Sequence, residues 1–285
     1  MSSPSVHSIG IVGSGIMGAG IAEVLAGSGY TTVVRSRSSE SANDVISRVA
    51  TSLDRRVSKG KLEVAARDAI LSRLSATTNL SDLADCDIVI ESVIEDMPTK
   101  KSLFAELDAV MKPGAIIATN TSTLPVAELA LSTTRPDKVC GIHFFNPATT
   151  MSLVEVVRPD TAAEETITTA RELIASCGKD AVLVRDDAGF VVNALLFPYL
   201  NNAIKMFERG TASMEDIDTA MKGGCNFPMG PFSLLDLVGL DTSLAIIRTL
   251  YADSGNPADA PAETLVRLVD EGHLGRKTKR GFFTY

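Results

Sequence analysis

The chain has 285 residues, 45% hydrophobic and 22% charged, an ordinary balance for one large or two modest globular domains. A formal net charge of −8 argues against non-specific nucleic-acid binding, and any anionic ligand must find a local basic patch. The cysteines, Cys86, Cys140, Cys177 and Cys225, form no C-x-x-C pair, so neither a zinc site nor a disulfide framework is indicated and no metal is expected.

Residues 1–5 carry no basic segment, and the apolar stretch after them is broken by glycines and Glu23. It reads as neither a signal peptide nor a membrane span, which gives a cytoplasmic expectation. Residues 7–22 read as a short buried strand, a glycine turn and a helix start. Gly13, Gly15 and Gly18 are spaced as G-x-G-x-x-G around Ser14, Ile16 and Met17. Gly13 suits a tight turn, Gly15 lets a pyrophosphate approach the backbone, and Gly18 lets the helix pack close to the strand. The helix start then points free N–H groups at the phosphates.

The helix is predicted to end at Gly27-Ser28-Gly29, and residues 31–35 read as a second strand. In such folds an acidic residue about 20 positions beyond the glycine loop holds the ribose 2′-OH. Here the strand runs into Arg35-Ser36-Arg37 with no acid. A small hydroxyl between two guanidiniums suits a 2′-phosphate, so NADP(H) is predicted over NAD(H), which remains possible. Residues 39–72 read as a charged helical insertion broken at Lys59-Gly60-Lys61.

Residues 87–91, 115–119, 139–143, 153–157 and 181–184 read as further strands. Helices are predicted over 98–111 and 162–176, with another starting at Pro125. This β–α alternation predicts a largely parallel, doubly wound sheet covered on both faces. Beyond the boundary near Asp186-Asp187 the pattern turns helical, over 191–209, 214–221, 233–251 and 261–271. The expected domains are 1–187 and an all-α 188–285.

His143 ends a predicted core strand beside Asn146-Pro147, and Glu155 lies within the apolar strand 153–157. A carboxylate in an apolar strand must be paired or protonated. A His143–Glu155 acid/base pair accounts for both residues, with a structural ion pair as the alternative. Thr119-Asn120-Thr121-Ser122-Thr123 falls where the carboxyl ends of parallel strands face a ligand, although its polar groups also suit a turn. Asn193, at the start of a long helix, can donate into an interdomain cleft or serve as an ordinary polar helix residue.

These motifs resemble the short L-3-hydroxyacyl-CoA dehydrogenases, in particular the bacterial 3-hydroxybutyryl-CoA dehydrogenases. The resemblance is carried by G-S-G-I-M-G-A-G-I-A at 13–22, N-T-S at 120–122, H-F-F-N-P at 143–147, L-V-E-V-V at 153–157 and G-F-V-V-N at 189–193. P-M-G-P at 228–231, D-L-V-G-L-D at 236–241 and the tail at 275–285 extend it across the chain.

The resemblance implies a Rossmann domain followed by a helical domain that pairs two subunits into a homodimer. It places His143 as the catalytic acid/base, Glu155 as its orienting partner, and Ser122 and Asn193 on the substrate oxygen. Glu95 and Lys100 match positions near the nicotinamide ribose, Ser122 and Asn146 positions near the nicotinamide, and Lys59 and Lys61 basic residues of the CoA site. Ser36 stands where NAD-using members carry Asp. The implied activity is reversible hydride transfer between NADP(H) and the acetoacetyl-CoA/3-hydroxybutyryl-CoA pair. An NAD-dependent β-oxidation enzyme, a related dehydrogenase of a non-CoA hydroxy acid and a non-catalytic dinucleotide-binding protein are the alternatives.

Overall fold

A computed structural model describes residues 6–285. Residues 1–5, on which the reading of the N-terminus rests, lie outside the described residues. The chain divides into two compact units, one ending at Asp186 and one running from Asp187 to Tyr285.

The first unit is built on eight strands: β1 (Ser8–Val12), β2 (Thr31–Arg35), β3 (Leu74–Thr77), β4 (Ile88–Glu91), β5 (Ile116–Thr119), β6 (Val139–Phe144), β7 (Leu153–Arg158) and β8 (Asp180–Arg185). They form one sheet in the order β3-β2-β1-β4-β5-β6-β7-β8. Its helices are α1 (Ile16–Gly27), α2 (Ser39–Ser58), α3 (Val64–Ser72), α4 (Met97–Val110), α5 (Val126–Ala130) and α6 (Glu164–Ser176). Ile9, Ile11, Ile88 and Ile90 pack in one core with α1, α2 and α6. The alternate residues Val89 and Ile117 are equally buried, so the sheet is covered on both faces, as apolar runs in parallel strands require.

Every neighbouring pair of strands is parallel except β6 and β7, which run antiparallel. The parallel strands therefore deliver their carboxyl ends to one edge. Strand order reverses at β1, whose neighbours are β2 and β4, and such a crevice is where doubly wound sheets bind ligands.

One strand was not legible from the pattern. The residues of β3, Leu-Ser-Ala-Thr, form an edge strand in which only Leu74 is buried, and so few apolar positions give no period. The helical stretch before it breaks after Ser58, where Gly60 takes φ 65°.

The second unit is helical: α7 (Val192–Glu208), α8 (Met214–Cys225), α9 (Pro231–Val238), α10 (Leu240–Ser254) and α11 (Glu263–Asp270). The single helix expected over 233–251 is instead two, because Gly239 adopts φ 104°, outside the helical range. Its core gathers Phe197, Leu200, Phe232, Leu244 and Leu265. Among the described residues no helix is long and apolar enough to cross a membrane.

Candidate active site

The glycine loop follows β1. Gly13 has φ 124°, and a Cβ there would meet the Ser92 carbonyl oxygen at 2.2 Å. A Cβ on Gly18 would meet the Gly13 carbonyl oxygen at 2.0 Å, so helix and loop touch there. Gly15 differs, for a Cβ on it would meet nothing within 4 Å. The chain itself demands the first and third glycines, while the middle one borders open space. That is the opening a pyrophosphate needs above the first turn of α1, which holds no acidic residue. Ile16, beside it, is 70% exposed, and Met17 packs against the sheet core.

At the carboxyl end of β2, Ser36 donates its amide to the Thr77 carbonyl at 2.8 Å. Its side chain is buried, yet Oγ has no hydrogen-bond partner, and neither does Nε of the half-buried Arg35. Orphaned buried polar atoms are uncommon and ask for an explanation. Arg37 is exposed next to them, and Ser38 caps α2 by accepting from the Ser41 amide at 3.2 Å. These groups suit the adenosine end of a dinucleotide.

His143 and Glu155 stand directly opposite each other on the antiparallel β6 and β7. Cross-strand neighbours of this kind have Cβ atoms about 4.5–5.5 Å apart, within easy reach of an imidazole and a carboxylate. Nδ1 of His143 lies 2.8 Å from Oε2 of Glu155, and both side chains are buried. The imidazole also rests on Phe145, ring centroids 4.5 Å apart. A carboxylate on Nδ1 fixes the tautomer with its proton there and assigns proton exchange to Nε2.

A second buried ion pair lies at the same edge, at the ends of β4 and β5. Glu91 ends β4, and its Oε1 accepts from the Lys100 ammonium at 2.7 Å and from the Val93 amide at 2.6 Å. Its Oε2 accepts from the Thr119 hydroxyl at 2.7 Å. Lys100, in α4, also lies 3.3 Å from Glu95 Oε2. Glu95 Oε1 receives the Thr121 hydroxyl at 2.6 Å, the Ser122 amide at 2.8 Å and the Ser122 hydroxyl at 3.2 Å. Burial pushes the Glu95 carboxyl upward, but the Lys100 ammonium and these hydrogen bonds outweigh it and hold it below the usual carboxylate range. Asn120 anchors the same loop to β6 by accepting the Phe144 amide at 2.8 Å.

The structure thus brings His143 to Glu155, and Glu95 and Lys100 to Ser122. Asn146 is exposed in the turn after β6. Lys59 and Lys61 are exposed at the turn between α2 and α3. Asn193 is buried in the first turn of α7, in the second unit. Sequence reasoning missed Glu91 and took Thr119 only as the first residue of the ligand-facing stretch 119–123. The available signal was a carboxylate closing the otherwise apolar run Ile88-Val89-Ile90, the same signal that singled out Glu155.

The buried thiols offer no competing nucleophile. Burial pushes Cys140 up to about 12, and burial reinforced by Asp87 pushes Cys86 up to about 11. Among the described residues no group of three or more His, Cys, Asp or Glu side chains can hold a metal ion.

The model of the 3-hydroxyacyl-CoA dehydrogenase NAD binding domain matches residues 8–187, and that of the 3-hydroxyacyl-CoA dehydrogenase C-terminal domain matches residues 189–285. A 3-hydroxybutyryl-CoA dehydrogenase from Clostridioides difficile is 44% identical over 97% of this chain and 99% of its own. The crystal structure of FadB2 from M. tuberculosis is 43% identical, covers 99% of this chain and 100% of its own, and superposes with a TM-score of 0.96. That of (S)-3-hydroxybutyryl-CoA dehydrogenase PaaH1 from Ralstonia eutropha is 40% identical over 99% of both chains, also with a TM-score of 0.96.

Proposed function

The chain belongs to the 3-hydroxyacyl-CoA dehydrogenase family, and from that premise we propose that it interconverts (S)-3-hydroxybutyryl-CoA and acetoacetyl-CoA. The observation that carries this reading is the buried 2.8 Å contact between His143 Nδ1 and Glu155. A nicotinamide dinucleotide, when bound, supplies the hydride to C3 of the thioester or takes it away.

In reduction, His143 as imidazolium gives its Nε2 proton to the forming alkoxide, and Glu155 stabilises the cation until the proton leaves. In oxidation neutral His143 accepts the hydroxyl proton at the same nitrogen. The Ser122 hydroxyl polarises the substrate oxygen where negative charge develops. Its bond to Glu95 Oε1 is long, 3.2 Å, on an oxygen that also takes the Thr121 hydroxyl and the Ser122 amide. Asn193 is the second donor to that oxygen in this reading.

Gly13, Gly15 and Gly18 hold the pyrophosphate, with Ile16 and Met17 lining the loop, while Glu95, Lys100 and Asn146 serve the nicotinamide end. The cofactor is NADP(H) in preference to NAD(H), because a 2′-phosphate would give the buried Ser36 hydroxyl the partner it lacks and would pair with Arg35 and Arg37. Lys59 and Lys61 receive the CoA phosphates. Two copies pair through the helical unit, where Leu195 and Leu237 leave apolar side chains 72% and 50% exposed. Its setting in this reading is the cytoplasm.

The test is acetoacetyl-CoA-dependent loss of the reduced-dinucleotide absorbance, with NADPH and NADH side by side. Turnover with NADPH, inhibited by free CoA, is expected. Turnover that free CoA does not inhibit would redirect the reading to a non-CoA hydroxy acid. No turnover with either dinucleotide would overturn it in favour of a binding protein.

A further inference from the structure

Four hydrogen bonds and one ion pair around Glu91 close a ring. From Glu91 Oε1 the path runs through the Lys100 ammonium (2.7 Å) and Glu95 (3.3 Å) to the Thr121 hydroxyl (2.6 Å). It returns from the Thr121 amide to the Thr119 hydroxyl (3.1 Å) and from that hydroxyl to Glu91 Oε2 (2.7 Å). Glu91 and Lys100 are 0% and 1% exposed. Both arms of the ring converge on Thr121 and so on the backbone that carries Ser122, whose amide is itself held by Glu95.

We propose that Glu91 is a positioning residue for the reaction: from beneath the sheet edge it fixes Lys100 and Thr119, and through them the loop that aims the Ser122 hydroxyl. The inference rests on the reading of Ser122 as a donor to the substrate oxygen. Three physical facts support it. A fully buried ion pair replaceable by apolar side chains contributes little to stability for its cost, so one that persists calls for a role other than stability. Each oxygen of Glu91 has a donor, so it touches no substrate and can act only through its neighbours. A donor to a developing oxyanion must also be held to about half an ångström, because misplacement by about 1 Å costs about a hundredfold in rate.

The ring also explains why Lys100 sits within the protein. Its ammonium bridges two carboxylates, one fully buried and one with its side chain 37% exposed. Without Glu91, Lys100 would be left with Glu95 alone and would draw it inward, away from the Ser122 amide.

The test is a double-mutant cycle on the full-length protein, E91Q against S122A, reading kcat and KM per folded enzyme after thermal-melt and circular-dichroism checks. E91Q is expected to lower kcat by about tenfold to a hundredfold, with KM for acetoacetyl-CoA within about twofold of wild type. In the S122A background the same change is expected to lower kcat by less than about twofold, since the group it aims is gone. Thr119→Val, which removes one arm and keeps the ion pair, is expected to show the same pattern at smaller size, and it serves as the measurement if E91Q does not fold.

A merely structural Glu91 would lower the melting temperature and leave kcat of the folded fraction at the wild-type value. That result, with S122A impaired, would overturn the proposal. Equal loss from E91Q in both backgrounds would overturn it too. An S122A enzyme at wild-type rate would instead overturn the reading of Ser122 and leave Glu91 nothing to position.

Discussion

Two ion pairs are buried at the carboxyl edge of the sheet, and they differ in the chemistry their cations can do. Glu91 is bonded to protein throughout: the Lys100 ammonium and the amide of Val93 fill one oxygen and the hydroxyl of Thr119 the other. In the other pair Glu155 takes one of the two nitrogens of an imidazole. A carboxylate with protein donors on both oxygens can hold a shape and do no more. An imidazole held at Nδ1 by a carboxylate can still take up and give up a proton at Nε2, which an ammonium cannot match near neutral pH. Both pairs arise the same way, from acidic residues inside apolar strands, so residue type alone does not separate scaffold from chemistry.

Removing the second pair's imidazole tests that distinction most severely. His143→Ala is expected to lower kcat by about 10²–10⁴-fold in both directions, the scale of lost acid–base catalysis. The melting temperature should move far less than catalysis does. Glu155→Gln keeps a polar contact to Nδ1 and loses the charge, so a smaller loss, about tenfold to a hundredfold, is expected. If His143→Ala turned over at the wild-type rate, the two pairs would have to be regarded as equally structural.

The glycine loop repeats the contrast on a shorter scale. Gly18→Ala would drive a Cβ into the Gly13 carbonyl at 2.0 Å, so a large fall in melting temperature is expected. Gly15→Ala has open space and an extended backbone, φ −70° and ψ −174°, that alanine adopts freely. It should shift the melting temperature by less than about 2 °C, as an uncrowded surface change does. Its dissociation constant for the dinucleotide, measured by fluorescence titration, should rise tenfold or more, because the methyl occupies the space of the pyrophosphate. Unchanged affinity in Gly15→Ala would mean that the opening serves no ligand.

Much of this was legible because strong periodic signals mark strongly buried elements. The strands β1, β4, β5, β6 and β7 are apolar runs, and they carry the glycine loop, Ser122, His143 and Glu155 to one edge. The cross-strand facing of His143 and Glu155 needed the antiparallel turn between β6 and β7, which no local pattern announces. The strand β3 was hidden because an edge position asks for one buried side chain. The break at Gly239 was hidden because helical spacing continues across it, and only a backbone angle reveals the corner. Lys100 was legible as a functional position by resemblance, but its burial between two carboxylates depends on Glu91, nine residues away in sequence and on another element.

The Ser36 region sharpens the comparison at its open end. Arg37→Ala is expected to raise KM for NADPH by about tenfold, the loss of one charge-assisted hydrogen bond, and to leave KM for NADH within about twofold. Ser36→Asp should reverse the preference by repelling the 2′-phosphate and accepting from a ribose hydroxyl. Equal effects on both dinucleotides would reduce the orphaned hydroxyl to a packing detail.

The smallest effect belongs to the opposite, amino edge of the sheet, where Asp87 precedes β4. Its carboxylate accepts the amides of His7 and Ser8 and pairs with Lys112 at 2.6 Å, tying the start of β1 to its neighbour. Burial pushes this carboxyl upward, but Lys112 and the two amides outweigh it and hold its pKa at about 2. An acid whose pKa is depressed by folding stabilises the native state above its unfolded value, near 4, and loses that contribution as pH falls toward 2. Solvent screening of this part-exposed pair leaves about 1 kcal/mol of that contribution at neutral pH. Asp87→Asn should therefore lower the melting temperature at pH 7 and unfold nearly in step with wild type near pH 2. Its kcat should stay unchanged, since the amino edge carries no chemistry. A melting-temperature gap constant from pH 7 to pH 2 would show that hydrogen bonding, and not the charge, holds that end of the sheet.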